Sequence, residues 1–448
     1  MSLIKEFTKI IRAAERQYLN TKAQPLVQTE EVGEEEAAAD NFICCGDNRL
    51  LMKTLLEEKD MAGKIQMIYI DPPFFTKTDY DAVMKAGDTN IRHKAYGDKW
   101  ENGLSEYLKM LTVRLYLMRD LLADTGLIWL HLDWHVVHYA KIIMDEIFGE
   151  KNFVNEIIWN YKSGGTSKRH FSRKHDTILV YAKSGKYRFY PLKEKSYNRG
   201  FKPYRFKGVK EYKDDLGWYT MVNMKDVWNI DMVGRTSRER TGYATQKPEQ
   251  LIARMIECCT KEGDLCADFF CGSGTLPAAA ASMGRCFIGC DKGSLAVEST
   301  ISRLIEKNRS FRVYRLSDSG KSNLDVRMEA SYSEIPGSDM RLLKLSLTSL
   351  KVRGLKKNLD EKSRAAVKEV MQKDSVKMVQ AWSVDFDYGG AGSVFRPDAV
   401  FVRQGESLGT SCERIMPPGK KICVKIVDIL GNTAFIELSE ERGISAAE

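Results

Sequence analysis

Residues 265–291 read LCADFFCGSGTLPAAAASMGRCFIGCD. An apolar run, Leu265 to Phe270, meets a glycine-rich turn. Small and apolar residues follow from Leu276 to Met283, the composition of a helix. A second apolar run, RCFIGCD, closes on the carboxylate of Asp291. Strand, helix and strand in this order predict a parallel βαβ unit, because the helix carries the chain back before the second strand starts. Gly272 and Gly274 permit a tight turn and close approach of a ligand to the backbone. The free N–H groups of the next helix suit an anion. Pro277 stands where a dinucleotide fingerprint has its third glycine, and no G-x-x-x-x-G-K-[ST] occurs. Asp291 is placed to accept from ribose hydroxyls, and helix capping is its plainer alternative. Loop and carboxylate together suit a ligand with an anionic end and a ribose.

Outward from this unit the alternation continues both ways. Upstream, NFICCG (41–46) reads as a strand, RLLMKTLLEEK (49–59) as a helix and IQMIYI (65–70) as a buried strand. After a polar loop, Leu104, Leu108, Leu111, Leu115, Met118 and Leu122 recur at helical spacing. LIWLHL, a helix closed by Gly149, and the strands FVNEIIWNY and DTILVYAK follow. KPEQLIARMIECC precedes the opening unit as a helix, and SLAVESTISRLIEK and FRVYRL succeed it. The expected fold class is α/β, a doubly wound sheet with helices on both faces, assembled from 41–160 plus 241–318. Residues 1–40 read as an amphipathic helix and an acidic flexible joint, EEVGEEEAAAD. Residues 161–240 read as a basic insert. After a linker, SDSGKSN, residues 319–448 read as a small strand-rich C-terminal domain with a hairpin around Gly431-Asn432.

The second informative stretch is MIYIDPPFF (67–75). Pro72 and Pro73 fix φ, and Pro73 keeps Pro72 extended. Asp71 is thereby held at the carboxyl edge of its strand, where ligands bind in open α/β sheets. Its carboxylate and the Pro72 carbonyl are adjacent acceptors, matched to an NH₂ group. Phe74 offers a flat apolar face beside them. A planar ring with an exocyclic amine fits all three. The plainer reading is a strand-ending turn with a core phenylalanine.

Charge is uneven along the chain. The net charge is +8, yet residues 162–213 alone hold 16 Lys or Arg against three acidic residues. Aromatic residues are interleaved with these cations. Cations attract phosphate whatever the sequence, and aromatic faces stack on bases. A solvated β region is the alternative. The ten cysteines form no C-x-x-C pair and sit mostly in apolar runs. They read as small buried residues in a reducing cytoplasm rather than zinc ligands or disulfides. The longest apolar runs fall short of a membrane span, and the N-terminus lacks the apolar centre of a secretory signal.

D-P-P-F together with D-x-F-x-G-S-G-T resembles the S-adenosylmethionine-dependent amino-methyltransferases of DNA. Asp before P-P and an aromatic residue points to the adenine-N6 members, since cytosine-N4 members more often carry Ser there. The motif order, D-P-P-F first and the glycine loop after the insert, looks like the β group, which includes type III modification subunits. The resemblance covers roughly 41–318 and implies a Rossmann-like methyltransferase sheet. It implies that Asp71, Pro72, Pro73 and Phe74 form the catalytic motif, with Asp71 and Pro72 on the target amine and Phe74 stacked on the base. It implies that Phe270, Gly272, Ser273, Gly274 and Thr275 line the methionine end of the cofactor, with Lys247 near that end. Asp291 would hold the ribose and Asp47 would lie near the cofactor adenine. The departure is Phe74 where many members have Tyr, which removes a hydroxyl and keeps the stacking face.

The resemblance implies double-stranded DNA as partner, with a restriction subunit or a second copy of the chain as further candidates, and neither a metal nor a membrane. The insert occupies the place of the target-recognition region. Lys168, Arg169, Arg173 and Lys174 are its candidates for phosphate, and Arg199, Lys202 and Arg205 for base edges. The competing readings are cytosine-N4 methylation, methylation of RNA or protein by the same amine chemistry, and a catalytically silent binding subunit. PDAVFVRQGES begins like a nuclease motif but has Ser407 where lysine is needed.

Overall fold

The computed structural model describes residues 3–162, 166–234, 236–316, 323–355 and 359–438. The linker expected at SDSGKSN lies outside them, apart from Asn323. Ten strands form one sheet. Their order is Leu26–Val32, Phe311–Leu316, Phe42–Cys45, Cys286–Asp291, Leu265–Asp268, Ile65–Ile70, Leu122–Leu132, His175–Ala182, Phe153–Asn160 and Val227–Asn229. From Phe311–Leu316 to Leu122–Leu132 every neighbouring pair is parallel. His175–Ala182 runs antiparallel to both its neighbours.

Helices cover both faces. Leu3–Leu19, Asn48–Glu57, Gly103–Leu121 and Val137–Phe148 share one core with the sheet, and Glu249–Cys259, Thr275–Ser282 and Ser294–Glu306 share the other. Ile65–Ile70 is therefore buried along its whole length, which accounts for its unbroken apolar run. The leucine stripe of Gly103–Leu121 faces inward, with Leu108, Leu111, Leu115 and Met118 fully buried.

Three expectations change. The stretch 30–40 is no flexible joint. It finishes the edge strand Leu26–Val32 and forms the helical turn Glu35–Ala38. Glu30 and Glu31 are buried against cations far along the chain, Lys425 for the first and Arg312 and Arg396 for the second. Second, the polar loop before Gly103 is a β-hairpin, Asp79–Ala86 with Thr89–Gly97. Its inward residues Ala82, Met84, Ala86 and Ile91 enter a core shared with the C-terminal region. Its outward charges are what made it read as loop. Third, the insert is narrower than 161–240: His175–Ala182, already read as the strand DTILVYAK, and Val227–Asn229 belong to the large sheet. What leaves that sheet is a three-stranded one, built from Lys193–Tyr197, Glu211–Asp214 and Gly217–Asn223.

The C-terminal region contains two further sheets. Leu324–Glu334, Arg341–Val352 and Ser411–Met416 form one, and Val379–Asp385, Ala399–Val402, Ile422–Asp428 and Thr433–Leu438 the other. The last two strands are the hairpin around Gly431-Asn432. A buried charge network fastens this region to the large sheet. Lys425 Nζ donates to both Glu30 carboxylate oxygens at 2.8 Å and to Glu298 Oε2 at 2.9 Å.

Candidate active site

Four adjacent strands of the large sheet, Phe42–Cys45, Cys286–Asp291, Leu265–Asp268 and Ile65–Ile70, are parallel and end on one edge. Asp47, Asp291, the loop 269–274 and Asp71 stand at those ends. The fold thus gathers residues that are up to 244 positions apart. They surround a cavity of about 400 Å³, whose lining includes Asp47, Asp71, Lys247, Phe270, Gly272 and Asp291. Ser273 and Thr275 line it as well. Pro72 is buried beneath it, and Phe74 packs beside it on the sheet core.

The glycine loop needs its glycines for different reasons. Gly274 has φ +73°, and a Cβ there would come within 2.5 Å of Thr300 Cγ2. Gly272 has φ +51°, and a Cβ would sit 3.3 Å from the Tyr243 ring. Asp291 ties this loop to its own: its carboxylate accepts from Gly272 N–H at 2.9 Å and from Gly293 N–H at 2.8 Å. A carboxylate has about four acceptor positions, so these bonds leave room for a ligand donor. Asp47 caps the helix Asn48–Glu57 by accepting from Arg49 N–H at 2.9 Å, and Arg114 lies 3.4 Å away.

Asp71 forms an ion pair with Lys247 through Oδ2. Its Oδ1 is buried and has no hydrogen-bond partner among the described residues. Lys247, expected near the methionine end, lines the same cavity and also stands 5.4 Å over the Phe74 ring. Below Phe74 runs a closed polar chain. His131 is 5.8 Å from the Phe74 ring and fully buried. Its Nε2 is 3.2 Å from Asp176 Oδ2, and its Nδ1 is 2.9 Å from the Tyr69 hydroxyl. A carboxylate only accepts, so Nε2 donates to Asp176. Burial opposes ionisation of Asp176, but the bond from His131 and the one from Tyr161 hold it below the usual carboxylate range.

Several residues escape a reading of the sequence. Asp98 is fully buried and accepts from Phe75 N–H at 3.0 Å, Thr76 N–H at 2.6 Å, Thr76 Oγ1 at 2.8 Å and Trp100 Nε1 at 2.9 Å. It fixes the chain just after D-P-P-F. Asp268 lines the cavity too, and burial pushes its carboxyl well above the usual range, with Asp71 and Asp291 adding to the effect. Its signal was present, as the first letter of D-x-F-x-G-S-G-T. Arg114 was also visible, as the one charged residue between Met110 and Met118 of a largely apolar helix. Nothing local marks Asp98.

Asp47, Asp71, Asp268 and Asp291 meet Lys247, Lys292 and Arg114 around the cavity, where burial raises the carboxyls of Asp268 and Asp291. That set suits a ligand with cationic groups, a ribose and an anionic end. The residues expected at nucleic acid lie elsewhere. Lys168, Arg169 and Arg173 are exposed on the segment between Asn160 and His175, and Lys174 is half-buried at its end. Arg199, Lys202 and Arg205 are exposed on a loop of the three-stranded sheet.

Comparison with known proteins agrees with this geometry. A family described as DNA methylase matches residues 65–302, more than half of the chain. Type II methyltransferase M.EcaI of Enterobacter cloacae is 27% identical over 323 residues, covering 59% of this chain and 69% of the relative. Type II methyltransferase M.HinfI of Haemophilus influenzae is 26% identical over 280 residues, covering 59% and 68%. The Mod subunit of the type III restriction-modification enzyme StyLTI of Salmonella typhimurium is 32% identical over 180 residues, covering 36% and 27%. Fold and cavity define a methyltransferase, and S-adenosylmethionine is the methyl donor of such enzymes. The chain belongs to the DNA methylase family.

Proposed function

We propose that this protein methylates the N6 amine of adenine at a specific site in double-stranded DNA. The observation that carries the reading is Asp71: one oxygen is held by Lys247, and the other is buried with no hydrogen-bond partner among the described residues. A buried acceptor of this kind fits an incoming N–H donor.

The adenine amine is a poor nucleophile because its lone pair is delocalised into the ring. Asp71 Oδ1 and the Pro72 carbonyl each accept one of its N–H groups and favour a pyramidal nitrogen with its lone pair uncommitted. Phe74 holds the ring by stacking. Lys247 orients Asp71 through their ion pair. Positioning of this kind is worth several kcal/mol. When bound, S-adenosylmethionine supplies a methyl group on a cationic sulfur. The acid residues that line the cavity suit that charge, and Asp291 suits the ribose. The methylated nitrogen is acidic enough to release its extra proton to Asp71 or water. Adenine inside a duplex cannot reach Asp71, so it is flipped out, at a cost of a few kcal/mol that Phe74 partly offsets.

Expression in a host without adenine methylation, followed by modification-calling sequencing, tests this reading. N6-methyladenine at one recurrent site supports it. N4-methylcytosine at such a site would favour the cytosine reading instead. A restriction subunit or a second copy of the chain is sought by sizing the protein on DNA that carries the mapped site.

A further inference from the structure

Phe171 leaves 98% of its surface to solvent, more than any other large apolar residue among those described. A lone exposed apolar side chain is ordinary. This one is not alone: Lys168, Arg169 and Arg173 surround it in a stretch, 166–174, without an acidic residue. The stretch is rooted in the large sheet. Asn160 pairs with His175, and Tyr161 N–H donates to the Lys174 carbonyl at 3.0 Å.

The root lies on the edge that carries Asp71. Ile70 is opposite Leu130 on the next strand, and Leu132 of that strand is opposite Thr177 on the one beyond. The stretch therefore leaves the sheet two strands aside from Asp71, about 10 Å laterally, and three residues, about 10 Å, beyond it along the strands. Arg173 packs on the Trp134 ring at 3.8 Å, and Trp134 lies two residues past the end of the strand that holds His131 beside Phe74. Cations set to take phosphate, with an exposed ring between them, match the way apolar wedges enter a base stack.

We infer that Phe171 enters the DNA stack beside the target adenine and occupies the space the flipped base leaves. The inference rests on the reading of the protein as a DNA methyltransferase that acts on a flipped base. The wedge lowers the cost of extrusion, so it matters most where the target is well paired.

The experiment compares wild type, Phe171→Ala and Phe171→Trp on two duplexes carrying the mapped site, one matched and one with an abasic site opposite the target. Phe171→Ala is expected to lose about 10- to 100-fold in kcat/KM on the matched duplex. On the abasic duplex it should come within a few-fold of wild type, and Phe171→Trp should stay active on both. S-adenosylmethionine binding, measured alongside, is expected to be unchanged, as an exposed side chain requires. A Phe171→Ala variant as active as wild type on the matched duplex overturns the wedge. So does an equal loss on both duplexes, which would mark a general DNA contact. A wild type that transfers no methyl to either duplex overturns the underlying reading and the wedge with it.

Discussion

Asp98 supports the loop that follows Asp71. Phe75 there has φ +62°, a left-handed conformation that costs a residue with a Cβ roughly 1–2 kcal/mol. Four donors on Asp98 offset that cost. Asp98→Ala removes their acceptor, at about 1–3 kcal/mol for each that finds neither water nor another partner. We expect kcat for methyl transfer to fall at least tenfold, with S-adenosylmethionine affinity nearly unchanged and partial recovery in Asp98→Asn. Equal kcat in the alanine variant would refute the support role. Phe74 makes a second test. Stacking is worth roughly 1–3 kcal/mol per base, so Phe74→Tyr should stay active while Phe74→Ala handles the flipped base poorly. A 2-aminopurine at the target reports this by fluorescence, and identical signals for both variants would exclude stacking. Asp71, Phe74, Gly272 and Gly274 were legible because each belongs to a motif only a few residues long. Asp98 was not, because its loop partners lie 22 and 23 positions upstream, across a hairpin that reads as loop.

At the scale of elements, alternation of apolar strands and amphipathic helices made the layered sheet legible. It failed where burial comes from elsewhere in the chain. The hairpin Asp79–Gly97 shows charge on its outer face, and its inner face is covered by residues more than two hundred positions away. The basic stretch was legible as charge, but not as two separate places. Lys168 and Arg169 sit on the segment rooted at the sheet edge, whereas Arg199, Lys202 and Arg205 sit on the three-stranded sheet. These places predict different effects. Neutralising Lys168 or Arg169 should weaken binding to all duplexes and reduce the salt slope by nearly one unit each. Changing Arg199, Lys202 or Arg205 should cost about 1–3 kcal/mol on the target site alone. Binding to target and scrambled duplexes across a salt series distinguishes them. If neither set alters either duplex, DNA is read elsewhere, with the C-terminal region the next candidate.

Over the whole molecule, the C-terminal region is joined to the methyltransferase sheet by buried charge. Lys425 lies between Glu30 and Glu298, and Arg315 reaches Glu298 from the sheet at 3.4 Å. Replacing one member of such a network leaves the others uncompensated, typically at about 3–5 kcal/mol. Lys425→Met should therefore lower the urea midpoint markedly, and Glu30→Gln added to it should restore part of the loss. A Lys425→Met midpoint equal to wild type would show that the network is not what joins the two parts. This join could not be read from sequence: Lys425 is 395 positions from Glu30 and 127 from Glu298. An acidic run of EEVGEEE reads as solvated until its partners are in place. The same holds for the site itself, whose four strand ends were visible one by one but whose adjacency only the sheet order supplies.

The central claim is that Asp71 presents a buried acceptor to an adenine amine. The direct measurement is nucleoside mass spectrometry of unmethylated DNA after incubation with S-adenosylmethionine and either wild type or Asp71→Ala. Wild type is expected to yield N6-methyladenine. Asp71→Ala, with S-adenosylmethionine binding intact, is expected to yield less by orders of magnitude. Equal N6-methyladenine from the two proteins would contradict the account.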